Sequence, residues 1–242
     1  MAGPDAGSGG LQSERGPVVV QRRVRWRPCV RIVPSRFPPE HLFARVADRG
    51  DWDAVIAVES LTNDRLRDAT GTARMVPEVD RVEGAGASYI MASFTHVSPA
   101  GGRFTDGTYG AYYAARTRET AIRETVHHRE RFMAATSERA MDLEMRVVEA
   151  DLDGMLHDMR GRKRELGTIH DPDDYSASRA LARTLRATGS NGVAYDSVRH
   201  DGGQCVAIFR PRLLRRGRQS EHLLYRWNGE RIAEVLRLTH RF

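Results

Sequence analysis

The stretch GGRFTDGTYGAYYAARTRETAIRETVHH (residues 101–128) sets glycines around an arginine, then three tyrosines, then a helical segment that carries glutamates. AYYAA within it reads as a short strand. Thr117 reads as the N-cap of the helix that follows, with Glu119 in the first turn, where the helix dipole favours negative charge. Along that helix Ile122, Val126, Arg129 and Met133 share a face, flanked by Ala121, Thr125 and Phe132. Glu124 falls off this stripe: at about 100° per residue it points roughly 130° from the apolar centre, towards water or a cleft.

Downstream, DLEMRVVEADL (142–152) alternates and predicts a strand. DDYSASRALARTLRATGSNG (173–192) predicts a helix with Ala180, Leu181, Thr184 and Leu185 in register, stopped by glycines. GVAYDSVR and QCVAIFRP follow as strands joined by a turn at HDGG (200–203), and LLYRWNGERIAEVLRL (223–238) as a hairpin with Asn228-Gly229 at its tip. Upstream, SYIMASF (88–94) has the residues of a buried strand. DWDAVIAVESLTNDRLRD (51–68) has helical spacing through Trp52, Val55, Ile56 and Leu61, and HLFARV (41–46) reads as a strand. The prolines of RIVPSRFPPE (31–40) make a connector, and VVVQRRVRW (18–26) adds an edge strand. Strands outnumber helices and often follow one another directly, which predicts an α+β fold with largely antiparallel pairing rather than a doubly wound sheet. The expected organisation is a disordered Gly/Ser/Pro-rich tail over residues 1–17, an extension over 18–39 and one domain over 40–242.

Of the 242 residues 40% are hydrophobic, enough for a core, and no run approaches the length of a membrane span. The opening MAGPDAGSGGLQSERGP lacks the apolar segment of a secretion signal, so a soluble cytoplasmic protein without membrane attachment is expected. Cys29 and Cys205 have no metal-ligand spacing and read as free thiols; no metal site is expected. The net charge of +6 comes almost wholly from arginine, Lys163 being the only lysine, with 32 acidic residues interspersed. A basic nucleic-acid-binding module is therefore a reading to test. The basic pieces QRRVRWR (21–27), RGRKR (160–164) and RPRLLRRGR (210–218) are short, and a solvated arginine-rich surface with no direct nucleic-acid contact accounts for them better.

Glycines beside Arg103 allow close backbone approach to a ligand, and a guanidinium is a planar donor suited to phosphate. Tyr112 and Tyr113 alternate on a strand, so one faces the core and the other, taken as Tyr113, the cleft. The adjacent His127 and His128 point in different directions and read as surface residues.

GGRF followed by AYYAARTRETAIRE resembles the signature of the RES-domain family, which recurs in the toxin half of bacterial toxin-antitoxin pairs of the RES-Xre type. NGVAYDSVRHDGGQCVAIFRP is similar to that family's second block, with Ser197 in its serine position, and LLYRWNGERIAEV to its terminal hairpin. The resemblance spans residues from about 40 to 238. It implies a fold like that of mono-ADP-ribosyltransferases and an enzyme that consumes NAD as substrate, with no resident cofactor. The implied reaction is cleavage of the nicotinamide–ribose bond by a glycohydrolase or phosphorylase. Alternatives are ADP-ribosyl transfer to a protein or, in another class, the nucleic-acid module. The resemblance gives Glu124 the catalytic carboxylate and Arg103 and Arg45 the diphosphate. Tyr113 would stack on nicotinamide or ribose, and Ser197 would bond the ribose or position the glutamate. It also implies an Xre-type antitoxin that occludes the active site; homo-oligomerisation is left open. Where the family pattern has GGRW and then an asparagine, this chain has Phe104 and Thr105, which puts fine substrate preference in question.

Overall fold

The computed structural model describes residues 19–35 and 76–238. The expected tail, the strand with Arg45 and the helix over 51–68 lie outside those residues. The described elements are β1 (Gln21–Pro34), α1 (Ala87–Thr95), β2 (Tyr112–Ala115), α2 (Arg118–Ala135), β3 (Met141–Asp158), α3 (Ser176–Ala187), β4 (Gly192–Asp196), β5 (Gln204–Ile208), β6 (Leu214–Trp227) and β7 (Ile232–Leu238). The strands follow the order β1-β2-β5-β4-β3-β6-β7, and β1 also pairs with β3. Pairing is antiparallel except where β3 meets β4, at His157↔Val193 and Asp158↔Ala194. The fold is α+β, as the succession of strands in the sequence implies.

Side chains alternate across a strand, and here both faces are buried. Val193 and Tyr195 of β4, Cys205 and Ala207 of β5, and Met145 and Val147 of β3 join one apolar cluster, against which Ile122 of α2 and Leu181 of α3 pack. Their neighbours Ala194, Val206, Ile208 and Ala150 join a second cluster, with Ile90 and Phe94 of α1. In β1 the alternation slips at a register shift between Trp26 and Cys29. Val24, Trp26 and Cys29 therefore share the α1 face, while Val30 and Ile32 face α2 and α3.

Two elements differ from the sequence expectation. SYIMASF is helix α1, not a strand. Its β-prone residues conceal a helical spacing: Ile90, Ser93 and Phe94 are the buried positions, at i, i+3 and i+4. Its start is fixed by Gly86, whose left-handed backbone (φ +80°) passes so close to Gly217 of β6 that a Cβ would lie 1.8 Å from the Gly217 carbonyl oxygen. Likewise β1 is not an edge. It runs on through RIVP, pairs along its length with β3, and meets β2 at Val30↔Ala115, with Val24, Trp26, Cys29, Val30 and Ile32 all in the core. Phe132, expected to flank the apolar face of α2, is 52% exposed.

The local signals hold elsewhere. Thr117 caps α2, its side chain accepting from the Thr120 amide at 3.3 Å. α3 starts at Ser176, after turns in which Asp171 and Asp174 accept from the amides of residues ahead of them. The hairpin tip has Asn228 Oδ1 accepting from the amides of Glu230 and Arg231, with Gly229 at φ +103°.

Several arginines of the short basic pieces are paired with carboxylates. Arg23 and Arg25 flank Asp153, Arg160 pairs with Asp158, Arg210 and Arg212 with Asp80, and Arg216 and Arg218 with Asp151 and Glu149. No helix among the described residues is long and apolar enough to cross a membrane.

Candidate active site

Beside β2 a cavity of about 670 Å³ opens, within the roughly 300–1,000 Å³ usual for ligand pockets. On α2 the residues Ala121, Glu124, Thr125, His128 and Arg129 line it, the spacing of a single helical face. That face overlaps the edge of the stripe read from sequence at Ala121, Thr125 and Arg129, and extends beyond it to Glu124 and His128. Glu124 is the only acidic residue among the described residues of the wall.

Ser197 is fully buried at the end of β4 and donates from Oγ to Glu124 Oε1 at 2.5 Å. The same Oγ accepts from the amides of Arg199 and His200 at 3.1 and 3.0 Å. Those two amides occupy the acceptor side of the oxygen and leave the hydroxyl's one proton to the carboxylate, so Glu124 is held by a charge-assisted bond whose donor is itself fixed. Ser197 stands behind the carboxylate rather than in the cavity wall. Cys205 Sγ, 3.9 Å from the same oxygen, is a second neighbour. Burial, and then the Glu124 charge, push its thiol well above the usual range, so it stays protonated. His200 ties the loop after β4 to the start of α2, its Nδ1 2.9 Å from Thr120 Oγ1 and its Nε2 3.6 Å from Glu119. Glu119 thus meets the loop, not the cavity.

The GGRF turn is closed by the Gly102 amide donating to the Thr105 carbonyl at 2.9 Å. Tyr113 Oη accepts from the Phe104 amide at 2.9 Å and lies 3.2 Å from Thr105 Oγ1. A Cβ at residue 102 would come 2.8 Å from that hydroxyl, so the glycine makes room for the tyrosine. Burial pushes the Tyr113 phenol up to about 12. Tyr112 points to the opposite face and is fully buried there. Phe104 is core, edge-on to Tyr195, whereas Thr105 reaches the cavity, so the polar group after the turn is Thr105.

Arg103 lies over the Tyr175 ring at 4.5 Å, and its Nη1 donates to the carbonyls of Ile169 and Asp171 at 3.1 and 2.6 Å. A further guanidinium, which the sequence reading passed over inside a supposed connector, comes from Arg31 of β1. Its Nη1 donates to the Tyr113 carbonyl at 3.0 Å, and burial lowers its pKa. Arg129 lies over the Phe132 ring. Unlike the ion-paired arginines above, these three cavity arginines are steered by carbonyls and ring faces, which orient a cation without cancelling its charge. Arg45 lies outside the described residues. No cluster of His, Cys, Asp or Glu among the described residues is arranged to hold a metal.

His128 is exposed, as expected of a surface residue, and it also lines the cavity. Partial desolvation against the cavity wall, followed by the charges of His127, Arg199, Arg129 and Arg131, lowers its pKa to about 4. Between the ordinary value near 6.5 and about 4, the unfolded chain binds a proton that the folded chain refuses. Stability contributed here is thus complete above pH 6.5 and falls as pH drops towards 4, below which the loss levels off. Thermal melts from pH 7 to 4 should show the decline, and His128→Gln should make it shallower. Some slope will persist, because burial also lowers the pKa of His127, His157 and His170.

A family model described as RES domain matches residues 78–228. The chain is 30% identical over 207 residues to an uncharacterized protein, y4oC, of Sinorhizobium fredii, covering 84% of each. Among solved structures it is similar to a chain of the M. tuberculosis MbcT-MbcA toxin-antitoxin complex, at 18% identity and a TM-score of 0.40, covering 54% of this chain and 74% of that one.

Proposed function

The chain belongs to the RES domain family, and we propose that it is the toxin of a toxin-antitoxin pair and acts by cleaving the nicotinamide–ribose bond of NAD. One observation carries this reading: a single carboxylate, Glu124, clamped from behind by Ser197 in a cavity otherwise rich in guanidinium groups. Breaking the bond turns the cationic pyridinium into neutral nicotinamide and leaves positive charge on the ribose. A fixed carboxylate beside that sugar is stabilised most in the transition state, where the charge resides. Arg103 and Arg31 supply the opposite sign for the diphosphate, and Tyr113 an aromatic face with its hydroxyl already held. With water as acceptor the products are nicotinamide, ADP-ribose and one proton; phosphate or a protein side chain would take the ribose carbon in the same way.

The role this geometry gives Ser197 is positioning. Ser197→Ala removes the bond to Glu124 and should lower kcat roughly tenfold, the worth of a hydrogen bond to a charged group, with a much smaller change in KM. An equal loss in both would count against it. The cognate partner in this proposal is an Xre-type antitoxin that covers the cavity, in the cytoplasm. The direct test is nicotinamide release from NAD by the purified chain, with labelled-protein and free ADP-ribose readouts to identify the acceptor. No nicotinamide release under any of these conditions would overturn the proposal.

A further inference from the structure

The cavity is lined from both faces of the sheet. Ile32, Met145, Tyr195 and Cys205 reach it from the α2 side, while Arg31, Arg146 and Val148 reach it from the α1 side. The two sides meet where β1 and β2 share a single pair, Val30↔Ala115. Ser88, Tyr89 and Ala92 of α1, and His96 just past its end, line the cavity, the stripe that Ile90 and Phe94 leave to it by turning to the core. Arg31 stands at the crossing. It donates to the Tyr113 carbonyl, while its guanidinium lies 5.2 Å from the Tyr112 ring centroid on the α1 face. Arg146 lies within electrostatic range of Tyr89 on the same wall.

The geometry points to a second subsite on the α1 side of the sheet, formed by Tyr89, Ser88 and His96, that takes the adenosine half of the dinucleotide, with Arg31 at the diphosphate between the halves. This rests on the reading of Glu124 as the nicotinamide-ribose end. A two-part ligand whose ribosyl bond is broken at Glu124 leaves a nucleoside on the far side of its diphosphate. The far wall offers side chains of the kind a purine takes: an aromatic ring, Tyr89, for stacking and short polar groups for its edge and sugar.

ADP carries the adenine and diphosphate but no nicotinamide, so its binding measured by calorimetry tests this subsite without turnover. The full chain should bind ADP. Tyr89→Ala should weaken binding about ten- to hundredfold, the range for loss of one base–aromatic stack, Tyr89→Phe should restore it, and Glu124→Gln should leave it within about twofold. In parallel, Tyr89→Ala should raise KM for NAD by a similar factor with kcat nearly unchanged. ADP that fails to bind, or binds Tyr89→Ala as tightly as the unaltered chain, overturns the subsite. NAD cleavage that persists in that case leaves the catalytic reading standing. Tyr89-dependent ADP binding without NAD cleavage supports the subsite and removes the catalytic reading instead.

Discussion

Glu124→Gln is expected to lower NAD cleavage on the order of a hundred- to thousandfold, the effect of removing one fixed electrostatic group from a charge-developing transition state. The amide is nearly isosteric, and its oxygen can still accept from Ser197 Oγ, so the anchor at 2.5 Å loses its charge assistance but not its partner. Folding should therefore survive, and the melting temperature should stay close to that of the unaltered chain. That separation makes the experiment decisive: a variant that melts normally and consumes NAD at full rate leaves Glu124 with no catalytic part. Glu124→Ala is the less informative change, because it leaves the buried Ser197 hydroxyl without its acceptor and mixes stability with chemistry.

The second large effect is on stability. Gly86→Ala should cost about 2–5 kcal/mol, the sum of a left-handed backbone disfavoured for alanine and overpacking against an unyielding neighbour. The neighbour is the Gly217 carbonyl of β6, 1.8 Å from the position the new Cβ would take, and main chain cannot swing aside as a long side chain can. For a chain of this size the melting temperature should fall by roughly 5–15 °C. Gly84→Ala is the matched control. Its φ of +86° is similar, but nothing lies within 4 Å of the added carbon, so only the backbone part, about 1–2 kcal/mol, should remain. Equal losses in the two variants would show that the contact between α1 and β6 contributes little.

The contrast between those glycines also explains what could be read from sequence. Elements defined by neighbours in the chain were legible: the Thr117 cap, the turn at HDGG, the Asn228-Gly229 tip and the helix ending in glycines each carry their signal within a few residues. α1 was not, because Tyr89, Ile90 and Phe94 are residues of strands, and only the Gly86–Gly217 approach and the core behind Ile90 settle the helix. β1 was misplaced for a related reason. Its arginines and prolines suggest an edge and a connector, whereas pairing with β3, far along the chain, makes it interior. In the site, Glu124, Ser197, Arg103 and Tyr113 were named from one local pattern and a family resemblance, and the fold sets Ser197 against Glu124 and the other three in one cavity wall. Arg31, His128 and Cys205 were missed because nothing local distinguishes them from a strand arginine, a helix-surface histidine and a core thiol.

The alternation of β3 and β1 across the cavity has one more result. Met145 looks towards one end of the space and its neighbour Arg146 towards the other, and Ile32 and Arg31 divide in the same manner. A single substitution can therefore change the lining of one end while the opposite end stays as it was, one letter at a time, within the same few strands.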